Sequence, residues 1–214
     1  MNAQDREDTV TLGILETIDE KSDVSQRHLA DRLGVALGLA NLYLKRCVHK
    51  GLVKIKQAPA NRYFYYLTPK GFAEKSRLTA AYLSISFDFY RRAGASCTKV
   101  FGQCGERGWK TVVLCGVSEL AEIASLRAEE HGVRIVGAFD PSGEQSRFVG
   151  RPVWHDLADL PDFDACVLTA LIDPLDLFEM LIGSIEAERV LIPDVLGFNA
   201  GQNGRTAKAH APDR

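Results

Sequence analysis

Apolar residues recur every three or four positions through the first fifty residues, as they do along amphipathic helices. This spacing predicts one helix over 9–21, a second from Ser25 to Leu33 and a third over about 36–50. Ser25 is a residue type favoured at helix N-caps, and Gly34 supplies a tight turn before the third helix. Two helices joined by a short glycine turn predict a helix-turn-helix.

The third predicted helix has two chemically different faces. Its apolar face consists of Leu37, Ala40, Leu44, Cys47 and Val48. Ala36 stands at its N-cap, where a serine or threonine would add about 1 kcal/mol of capping and a hydroxyl for phosphate contact. We expect the other face to be exposed, and it consists of Gly38, Leu39, Asn41, Leu42, Lys45 and Arg46.

A β-hairpin is predicted after the third helix. The β-prone runs at 52–56 and 62–68 are separated by a turn-forming stretch, 57–61, that contains proline and asparagine. Thr68 and Pro69 then combine an N-cap with a proline at the first helical position, which indicates that another helix begins there. The first part of the chain therefore reads as a winged helix-turn-helix.

A long apolar stripe follows, with spacings of four and three residues that predict one long helix. The stripe requires a partner surface, which is either a second copy of the chain in a homodimer or the protein's own domains. Glycines near its end predict a helix break and a linker at about 102–109, and they are Gly94, Gly102, Gly105 and Gly108. The stripe consists of Leu78, Tyr82, Ile85, Phe89, Ala93, Cys97, Val100 and Cys104.

The carboxy-terminal part alternates short apolar strands with helical patterns, as in βαβ units. Such alternation predicts a Rossmann-like parallel sheet flanked by helices, and an α/β class for the whole chain. The predicted strands lie at 111–115, 133–139, 164–171 and 189–195, and the predicted helices at 118–131 and about 174–186.

These patterns divide the chain into four parts. Residues 1–68 are predicted to form the winged helix-turn-helix, and 69–109 a long helix and linker that serves dimerisation. The Rossmann-like domain is predicted over 110–198. The remaining 199–214 lack periodic apolar residues and are predicted to be disordered.

The charge distribution differs sharply between the two halves. Residues 24–70 carry nine Lys and Arg against one acid, a net charge of +8, whereas 111–198 carry five against sixteen, a net charge of −11. A compact basic block is typical of a surface that binds a polyanion such as DNA. The alternative is a protein-interaction module whose basic face docks an acidic partner.

The winged-helix geometry suggests a role for each candidate DNA contact. Asn41 is suited to pair bidentately with adenine, and Leu39 or Leu42 to meet thymine methyl groups in the major groove. The other candidates are expected mainly to hold the DNA backbone. The full set is Ser25, Gln26, Arg27, Gly38, Leu39, Asn41, Leu42, Lys45, Arg46, Lys54, Lys56, Asn61 and Arg62.

A sheet of the predicted type binds ligands at the carboxyl ends of its strands. Asp140 lies 24 positions beyond Gly116, near the spacing expected for an acid that bonds a ribose hydroxyl, although only the first glycine of the GxGxxG fingerprint is present. His155 and Asp156 lie in a loop near this pocket. The candidate ligand-binding residues are Gly116, Val117, Ser118, Glu119, Asp140, Thr169 and Asp194.

The sequence offers little support for catalysis or for a metal. The pair Tyr66 and Lys70 has the YxxxK spacing of short-chain reductases, but Pro69 places it at a strand-to-helix junction. The histidines show no metal-ligand or triad spacing. Five cysteines without a CxxC pair indicate reduced thiols, of which Cys47, Cys115 and Cys166 are expected in the core. We therefore expect a protein without enzymatic activity.

Composition and length agree with a globular protein of one or two domains. The chain has 214 residues, 46% hydrophobic and 25% charged, close to the averages for globular proteins. Its uncharged runs are far shorter than the roughly 20 apolar residues of a membrane span, and its first ten residues do not form a secretory signal. We expect a cytoplasmic protein with no membrane partner.

Two stretches of the first part resemble a known family. The stretch SQRHLADRLGVALGLANLYLKRCVHKGLVK, followed by YFYYLTPKGFAEK, resembles the MarR-type winged-helix regulators associated with exopolysaccharide operons. The resemblance covers about residues 9–85. It implies a sequence-specific transcriptional regulator that binds double-stranded DNA as a homodimer.

The second half resembles the small Rossmann-type domain of polysaccharide-biosynthesis epimerases, sugar acyltransferases and CoA-binding proteins. The matching stretches are KTVVLCGVSELAEIA, with FDP at 139–141 and VGRPV at 149–153. The resemblance covers about 110–195 and implies a nucleotide or nucleotide-sugar effector. The order of a winged helix and a Rossmann-like domain is also similar to that of redox-sensing Rex repressors, which implies NAD(H) as an alternative. A purely structural dimerisation domain is the third interpretation.

Overall fold

The structure, a computed structural model, describes residues 3–58 and 62–198, with no description of the side chains of residues 3–5, 58 and 62. The chain divides into two compact units, Met1–Phe87 and Asp88–Arg214. The predicted domain bounds at 68 and 109 stay predictions. The predicted disordered tail, 199–214, lies outside the described residues.

The first unit consists of helices followed by a hairpin and another helix. Its second and third helices are joined by the predicted glycine turn, and the winged helix-turn-helix order is confirmed. The elements are α1 (Ala3–Glu20), α2 (Gln26–Leu33), α3 (Leu37–His49), β1 (Val53–Ala58), β2 (Arg62–Leu67) and the start of α4 (Pro69–Glu106).

Local signals explain where these helices begin and end. Ser25 caps α2, because its side chain accepts a hydrogen bond of 3.1 Å from the backbone N–H of His28. Gly34 ends α2 in the left-handed conformation, at φ 60°. Ala36 makes no side-chain cap on α3, as its sequence predicts. Thr68 accepts a bond of 3.0 Å from the N–H of Gly71 and so opens α4.

The hairpin has one buried and one exposed face. β1 and β2 pair antiparallel, and Val53 and Tyr65 on the inner face are almost fully buried. Lys54 and Lys56 alternate with these positions and are exposed. Strand periodicity therefore directs the lysines of the hairpin to solvent, and on the other face Val53 and Tyr65 join the core while Ile55 is 48% exposed.

The predicted apolar stripe of α4 is divided between three environments. Leu78 packs in the core of the first unit, whereas Ala93, Cys97, Val100 and Cys104 pack in the core of the second unit. Tyr82 and Ile85, between these groups, are 59% and 64% exposed. The interpretation that the stripe packs against the protein's own units is therefore correct for its ends and not for its middle.

The predicted helix break was wrong. α4 continues through Gly94, Gly102 and Gly105 to Glu106 and ends before Gly108, which has a φ of 71°. A helical glycine costs only about 1 kcal/mol relative to alanine. Burial of the flanking apolar residues outweighs that cost, since Cys97, Val100, Phe101 and Cys104 all lie in the core.

The second unit is built on a six-stranded sheet, and the predicted α/β fold is confirmed. The sheet order is β5-β6-β4-β3-β7-β8, and every pair is parallel except β5 with β6. The strands are β3 (Thr111–Cys115), β4 (Arg134–Phe139), β5 (Arg147–Phe148), β6 (Arg151–Trp154), β7 (Ala165–Leu168) and β8 (Val190–Leu191), and the helices are α5 (Glu119–Glu130) and α6 (Pro174–Ile182).

Side chains of the central strands alternate between two apolar layers. Leu114 faces the layer formed with α4 and α5, and Cys115 faces the layer that contains Phe178 of α6. Burial on both faces explains why the strand sequences read as continuous apolar runs. Leu126 fits the helical spacing of apolar residues in α5, yet its side chain is 55% exposed. Its neighbours Ala124 and Ala128 cover the sheet instead.

All five cysteines are buried and free, and Cys47, Cys115 and Cys166 lie in the core as predicted. Burial raises the pKa of the Cys47, Cys97 and Cys104 thiols to about 11. These thiols are therefore protonated and shielded near neutral pH. No helix within the described ranges is both long and apolar enough to cross a bilayer.

Asp164, the residue before β7, is hydrogen-bonded to the start of β3. Its Oδ2 atom accepts bonds from the N–H of Lys110 at 2.7 Å and from the N–H and hydroxyl of Thr111 at 2.8 and 2.9 Å. The backbone bonds from Lys110 and Thr111, followed by the hydroxyl bond, lower the pKa of Asp164. A lowered folded-state pKa stabilises the protein above the unfolded value and loses this effect as pH falls through the folded value.

We expect Asp164→Asn to lower the free energy of unfolding by about 1 kcal/mol at pH 7, after allowance for solvent screening. The difference from the parent should shrink as the pH falls below about 3.9, the ordinary Asp pKa. Urea titrations between pH 2.5 and 7 measure this, and Asp162→Asn, an exposed carboxylate two residues earlier, is the control. A pH-independent difference would show that the carboxylate charge is not the cause.

Candidate nucleic-acid interface and ligand cleft

The outer face of α3 is exposed along most of its length. Leu39 and Leu42 are 39% and 46% exposed, and Gly38 and Lys45 are exposed beside them. Leu37, which we predicted to be buried, is 44% exposed because it occupies the first turn, ahead of the helices that cover Ala40. The face of α3 that the sequence predicted to be exposed is therefore largely exposed.

The position of Asn41 differs from the predicted one, because the residue does not lie fully on the exposed face of α3. The residue is half-buried, and its Oδ1 atom is sealed from solvent without a hydrogen-bond partner among the described residues. An amide oxygen in this position must turn outward before it can accept a bond from a base. Leu39, Leu42 and Lys45 are better exposed for first contact.

Arg46 and Lys50 are partly engaged within the first unit. Both lie near Glu7 of α1, with nitrogen-to-oxygen distances of 3.4 and 3.5 Å. The Arg46 guanidinium also lies 5.3 Å from the centre of the Tyr43 ring. Arg46 is thus held against α1, whereas Lys45 extends from the same helix without an ion pair in the described part of the chain.

The remaining predicted DNA contacts lie at the start of α2 and on the hairpin. Ser25, Gln26 and Arg27 are exposed, and so are Lys54 and Lys56. The Ser25 side chain is occupied by its capping bond. Asn61 lies outside the described residues, as does the side chain of Arg62.

A cleft of about 620 Å³ opens at the carboxyl ends of β3, β4 and β7. The structure brings five of the predicted ligand-binding residues to it, namely Gly116, Val117, Ser118, Glu119 and Asp140. The volume lies within the range of about 300–1,000 Å³ that is usual for small-molecule sites. The position agrees with the ligand site of open α/β sheets.

Gly116 is required by the fold itself. Its φ is 97°, and a Cβ atom there would lie 2.5 Å from the Cβ and 2.6 Å from the backbone N of Ala170. The end of β3 therefore passes so close to the segment after β7 that only glycine fits. This packing accounts for the glycine without any ligand.

Ser118 and Asp140 shape the floor of the cleft. The Ser118 hydroxyl donates to the carbonyl of Thr169 at 2.5 Å and accepts from the N–H groups of Leu120 and Ala121. Asp140 Oδ1 accepts three bonds from the turn that follows it, and its Oδ2 lies 3.4 Å from the N of Val117. Both side chains hold the loops that form the walls.

Two predicted ligand-binding residues lie outside the lining of the cleft. Thr169 is fully buried, and its hydroxyl donates to the carbonyls of Cys115 and Gly116. Asp194 pairs with Lys99 of α4 at 2.6 Å, which lowers the pKa of its carboxyl. The predicted last strand ends at Leu191, so Asp194 does not follow a strand end directly. Thr169 is thus engaged in bonds within the sheet, and Asp194 is engaged in an exposed ion pair.

A second hollow of about 660 Å³ adjoins the cleft. It contains His155 and Asp156, and it shares Pro141 and Met180 with the cleft. His155 Nδ1 lies 2.7 Å from the carbonyl oxygen of Asp140.

Several residues of the cleft were not predicted. They come from the segment after β7 and from α6, and they include Leu171, Ile172, Asp173, Asp176 and Met180. Asp173 and Pro174 form an N-cap and first-turn signal that marks the start of α6. This signal shows that a helix begins at the carboxyl edge of the sheet, and so identifies these residues as neighbours of the site.

The described residues contain no cluster of three or more His, Cys, Asp or Glu side chains arranged to hold a metal ion. Tyr66 lies in β2 and Lys70 in α4, where the Lys70 ammonium donates to the carbonyl of Lys50. This pair therefore spans a strand-to-helix junction, as its sequence context predicts.

Residues 7–54 match the model of a family described as winged helix-turn-helix DNA-binding. The match runs from α1 to the start of β1. The first unit is therefore a winged helix-turn-helix of the DNA-binding class, which supports a DNA-binding transcriptional regulator. A search of curated proteins found no significant match.

Solved structures show limited similarity. A MarR family protein of Mycobacterium tuberculosis, in complex with p-aminosalicylic acid, is 21% identical, with a TM-score of 0.31 over 33% of this chain and 55% of that one. MepR of Staphylococcus aureus is 20% identical, with 0.33 over 38% and 60%. Human N-acetylserotonin methyltransferase, in complex with SAM, is 14% identical, with 0.31 over 76% and 66%. The chain thus spans little over half of the two bacterial structures.

Proposed function

We propose that this protein is a sequence-specific transcriptional regulator that binds double-stranded DNA through its winged helix. The observation that carries the proposal is the outer face of α3, where Leu39, Leu42 and Lys45 are exposed together. Apolar side chains on a major-groove helix contact thymine methyl groups, and a lysine beside them holds phosphate.

Basic side chains near this face are available for the DNA backbone. Arg27, Lys45, Lys54 and Lys56 are exposed and make no ion pair with any residue the structure describes. Each phosphate that such a side chain neutralises releases counterions, so affinity depends steeply on salt. A surface that only solvates its charges would show no such dependence for DNA.

We expect Lys54→Ala and Lys56→Ala each to weaken binding equally for promoter and unrelated DNA. Each should also reduce the slope of log K against log salt by about 0.9, since each removes one phosphate contact. Leu42→Ala should instead reduce the preference for the promoter. Fluorescence anisotropy with DNA from upstream of the gene and with scrambled DNA measures both effects.

The control is Lys110→Ala, which removes the same charge from an exposed site in the second unit. It should change neither the affinity nor the salt slope. Equal binding of promoter and scrambled DNA by the parent would contradict a sequence-specific regulator. It would favour the competing interpretation, a basic module that docks an acidic protein.

We propose that the regulator acts as a homodimer held by the exposed middle of α4. Four large apolar side chains within six residues are 44% to 64% exposed there, namely Tyr82, Leu83, Ile85 and Phe87. At about 100° per residue, Ile85, Tyr82 and Leu83 follow one another around the helix and Phe87 lies beyond Leu83. Exposed apolar surface of this extent marks an interaction surface. A second copy is the simplest occupant, because winged-helix regulators bind paired half-sites as symmetric dimers.

The cleft of the second unit is proposed as an effector site. The sequence predicts a nucleotide, a nucleotide-sugar or NAD(H), and the control of polysaccharide genes rests on resemblance alone. For regulation, the effector must bind the DNA-competent and DNA-incompetent states unequally, with typical couplings of about 1–3 kcal/mol. The competing interpretation is a purely structural domain that stabilises the dimer.

Ligand-dependent stabilisation distinguishes these interpretations. An effector at 100 times its dissociation constant should stabilise the protein by about 2.7 kcal/mol, and the Ile172→Ala variant should lose most of this shift. Ile172 is 84% exposed, so its removal leaves the fold intact. A panel of nucleotides, nucleotide-sugars, NAD(H) and uncharged nucleosides that causes no shift would leave the structural interpretation.

We propose that the cleft binds its ligand without transforming it. The hydroxyl groups that line it belong to Ser118 and Ser142, and both are engaged in local structure. Ser118 caps α5 while it donates to Thr169, and Ser142 bonds to Asp140 within the same turn. Neither is paired, within the part of the chain that the structure describes, with a histidine that would activate it.

A further inference from the structure

We infer that the cleft of the second unit takes an uncharged or cationic ligand with an apolar body, and that it disfavours phosphorylated ligands. This inference rests on the proposed effector function and narrows the class of effector. It departs from the nucleotide, the nucleotide-sugar and the NAD(H) that the sequence resemblances imply, since all three carry phosphate groups. The charges and the apolar surface that line the cleft carry it.

Every formally charged side chain that lines the cleft is acidic. The four are Glu119, Asp140, Asp173 and Asp176, and no lysine or arginine of the described chain lies among the lining residues. None of the four forms an ion pair in the described part of the protein. Asp140 is held by N–H and hydroxyl groups of the loops beside it, but no cation among the described residues balances the four charges.

The helix N-termini at the cleft do not reverse this balance. α5 and α6 both begin there, and each helix N-terminus contributes about +0.5 of an elementary charge. Four carboxylates outweigh two such termini. The Ser118 hydroxyl already accepts from the N–H groups of Leu120 and Ala121, and Glu119 stands in the same turn. The N–H groups that would bind an anion at the start of α5 are therefore already bonded, and a carboxylate lies beside them.

Part of the cleft lining is apolar and exposed. Ile172 is 84% exposed, and Leu171 and Met180, which also line the cleft, are 38% and 46% exposed. A ligand that covers this surface gains from apolar burial. Asp173 lies between Ile172 and the start of α6. Its φ of 45° turns the chain at this point.

The field within the cleft can be measured with a thiol placed at its rim. The Ile172→Cys variant is treated with two methanethiosulfonates of similar size, one carrying a trimethylammonium group and the other a sulfonate. Each forms a mixed disulfide with the thiolate and releases methanesulfinate. The native cysteines are all buried, so they contribute little background.

At each site we compare the rate of the cationic reagent with the rate of the anionic one. We expect this ratio to be at least about tenfold higher at Ile172→Cys than at Leu126→Cys, an exposed site on α5. Adding Asp173→Asn and Asp176→Asn should remove most of this preference. Asparagine tolerates a positive φ, so it preserves the backbone at 173. If the ratio of the two rates at Ile172→Cys equalled the ratio at Leu126→Cys, the inference would be overturned, because the cleft would then have no negative potential.

Matched ligand pairs test the ligand class with the full-length protein. Calorimetry compares adenosine with adenosine monophosphate, and tryptamine with indole-3-acetate. The uncharged or cationic member of each pair should bind at least tenfold more tightly, and the Asp173→Asn, Asp176→Asn variant should narrow the difference. Tighter binding of the anionic members would overturn the inference and leave the effector function standing. If none of the four compounds bound and no compound of the nucleotide panel stabilised the protein, both the inference and the proposed effector function would be overturned.

Discussion

Replacing Gly116 with alanine is expected to destabilise the second unit by about 2–5 kcal/mol. The left-handed backbone at φ 97° costs a residue with a Cβ about 1–2 kcal/mol, and overpacking adds about 1–3 kcal/mol. The overpacking term applies because the new Cβ would lie 2.6 Å from the Cα and N of Ala170, which are backbone atoms. Backbone atoms of a packed strand end cannot rotate away as a flexible side chain would.

Gly132→Ala separates the two terms of this estimate. Gly132 has a φ of 65°, and a Cβ atom added there would meet no other atom within 4 Å, so only the conformational cost applies. Urea denaturation followed by circular dichroism should therefore show a larger loss for Gly116→Ala than for Gly132→Ala. Equal losses would contradict the close approach to Ala170. A loss of ligand binding in any Gly116 variant would reflect the fold and not a ligand contact.

The winged helix could be predicted because its signals are local. Ser25 and Gly34 delimit α2, and Thr68 with Pro69 opens α4, each within a few residues of the bond it forms. Strand alternation also accounts for the exposure of Lys54 and Lys56. Such signals depend on backbone conformation that neighbouring residues determine, so one sequence is enough to read them.

The middle of α4 could not be assigned from the sequence in the same way. Tyr82 and Ile85 fit the same periodic stripe as Ala93 and Cys97, yet the first pair is exposed and the second is buried. Periodicity identifies an apolar face and does not identify what covers it. The short hairpin of β5 and β6 was missed for a related reason, since two residues in β5 give no period to detect.

The candidate ligand site was predicted in part, along the strands whose ends were correctly placed. Gly116 and Asp140 follow β3 and β4, and both reach the cleft. Asp194 failed because β8 ends three residues earlier, at Leu191, and the chain then turns towards Lys99. The acidic rim from α6 required knowledge of which helix N-termini meet at one edge, and this follows from the strand order β4-β3-β7.

The Ile85→Glu substitution is expected to convert a dimer into monomers at micromolar concentration. Burial of an unpaired polar group costs about 2–7 kcal/mol, and each 1.4 kcal/mol raises the dissociation constant tenfold. The dimer should therefore weaken at least about 25-fold. Ile85 is 64% exposed within one chain, so the carboxylate remains solvated in the monomer and the fold is retained. The substitution is therefore costly only where Ile85 is buried in an interface.

Light scattering at several concentrations measures the change, and Gln103→Glu is the matched control. Gln103 is exposed on the same helix, about 27 Å from Ile85 along its axis, and carries the same added charge. Loss of the dimer should also reduce the cooperativity of binding to DNA with two half-sites. Binding to a single half-site should persist. A parent protein that is monomeric both alone and on DNA would contradict the dimer. The winged helix would then bind as a single unit, and the apolar patch at 82–87 would require a different partner.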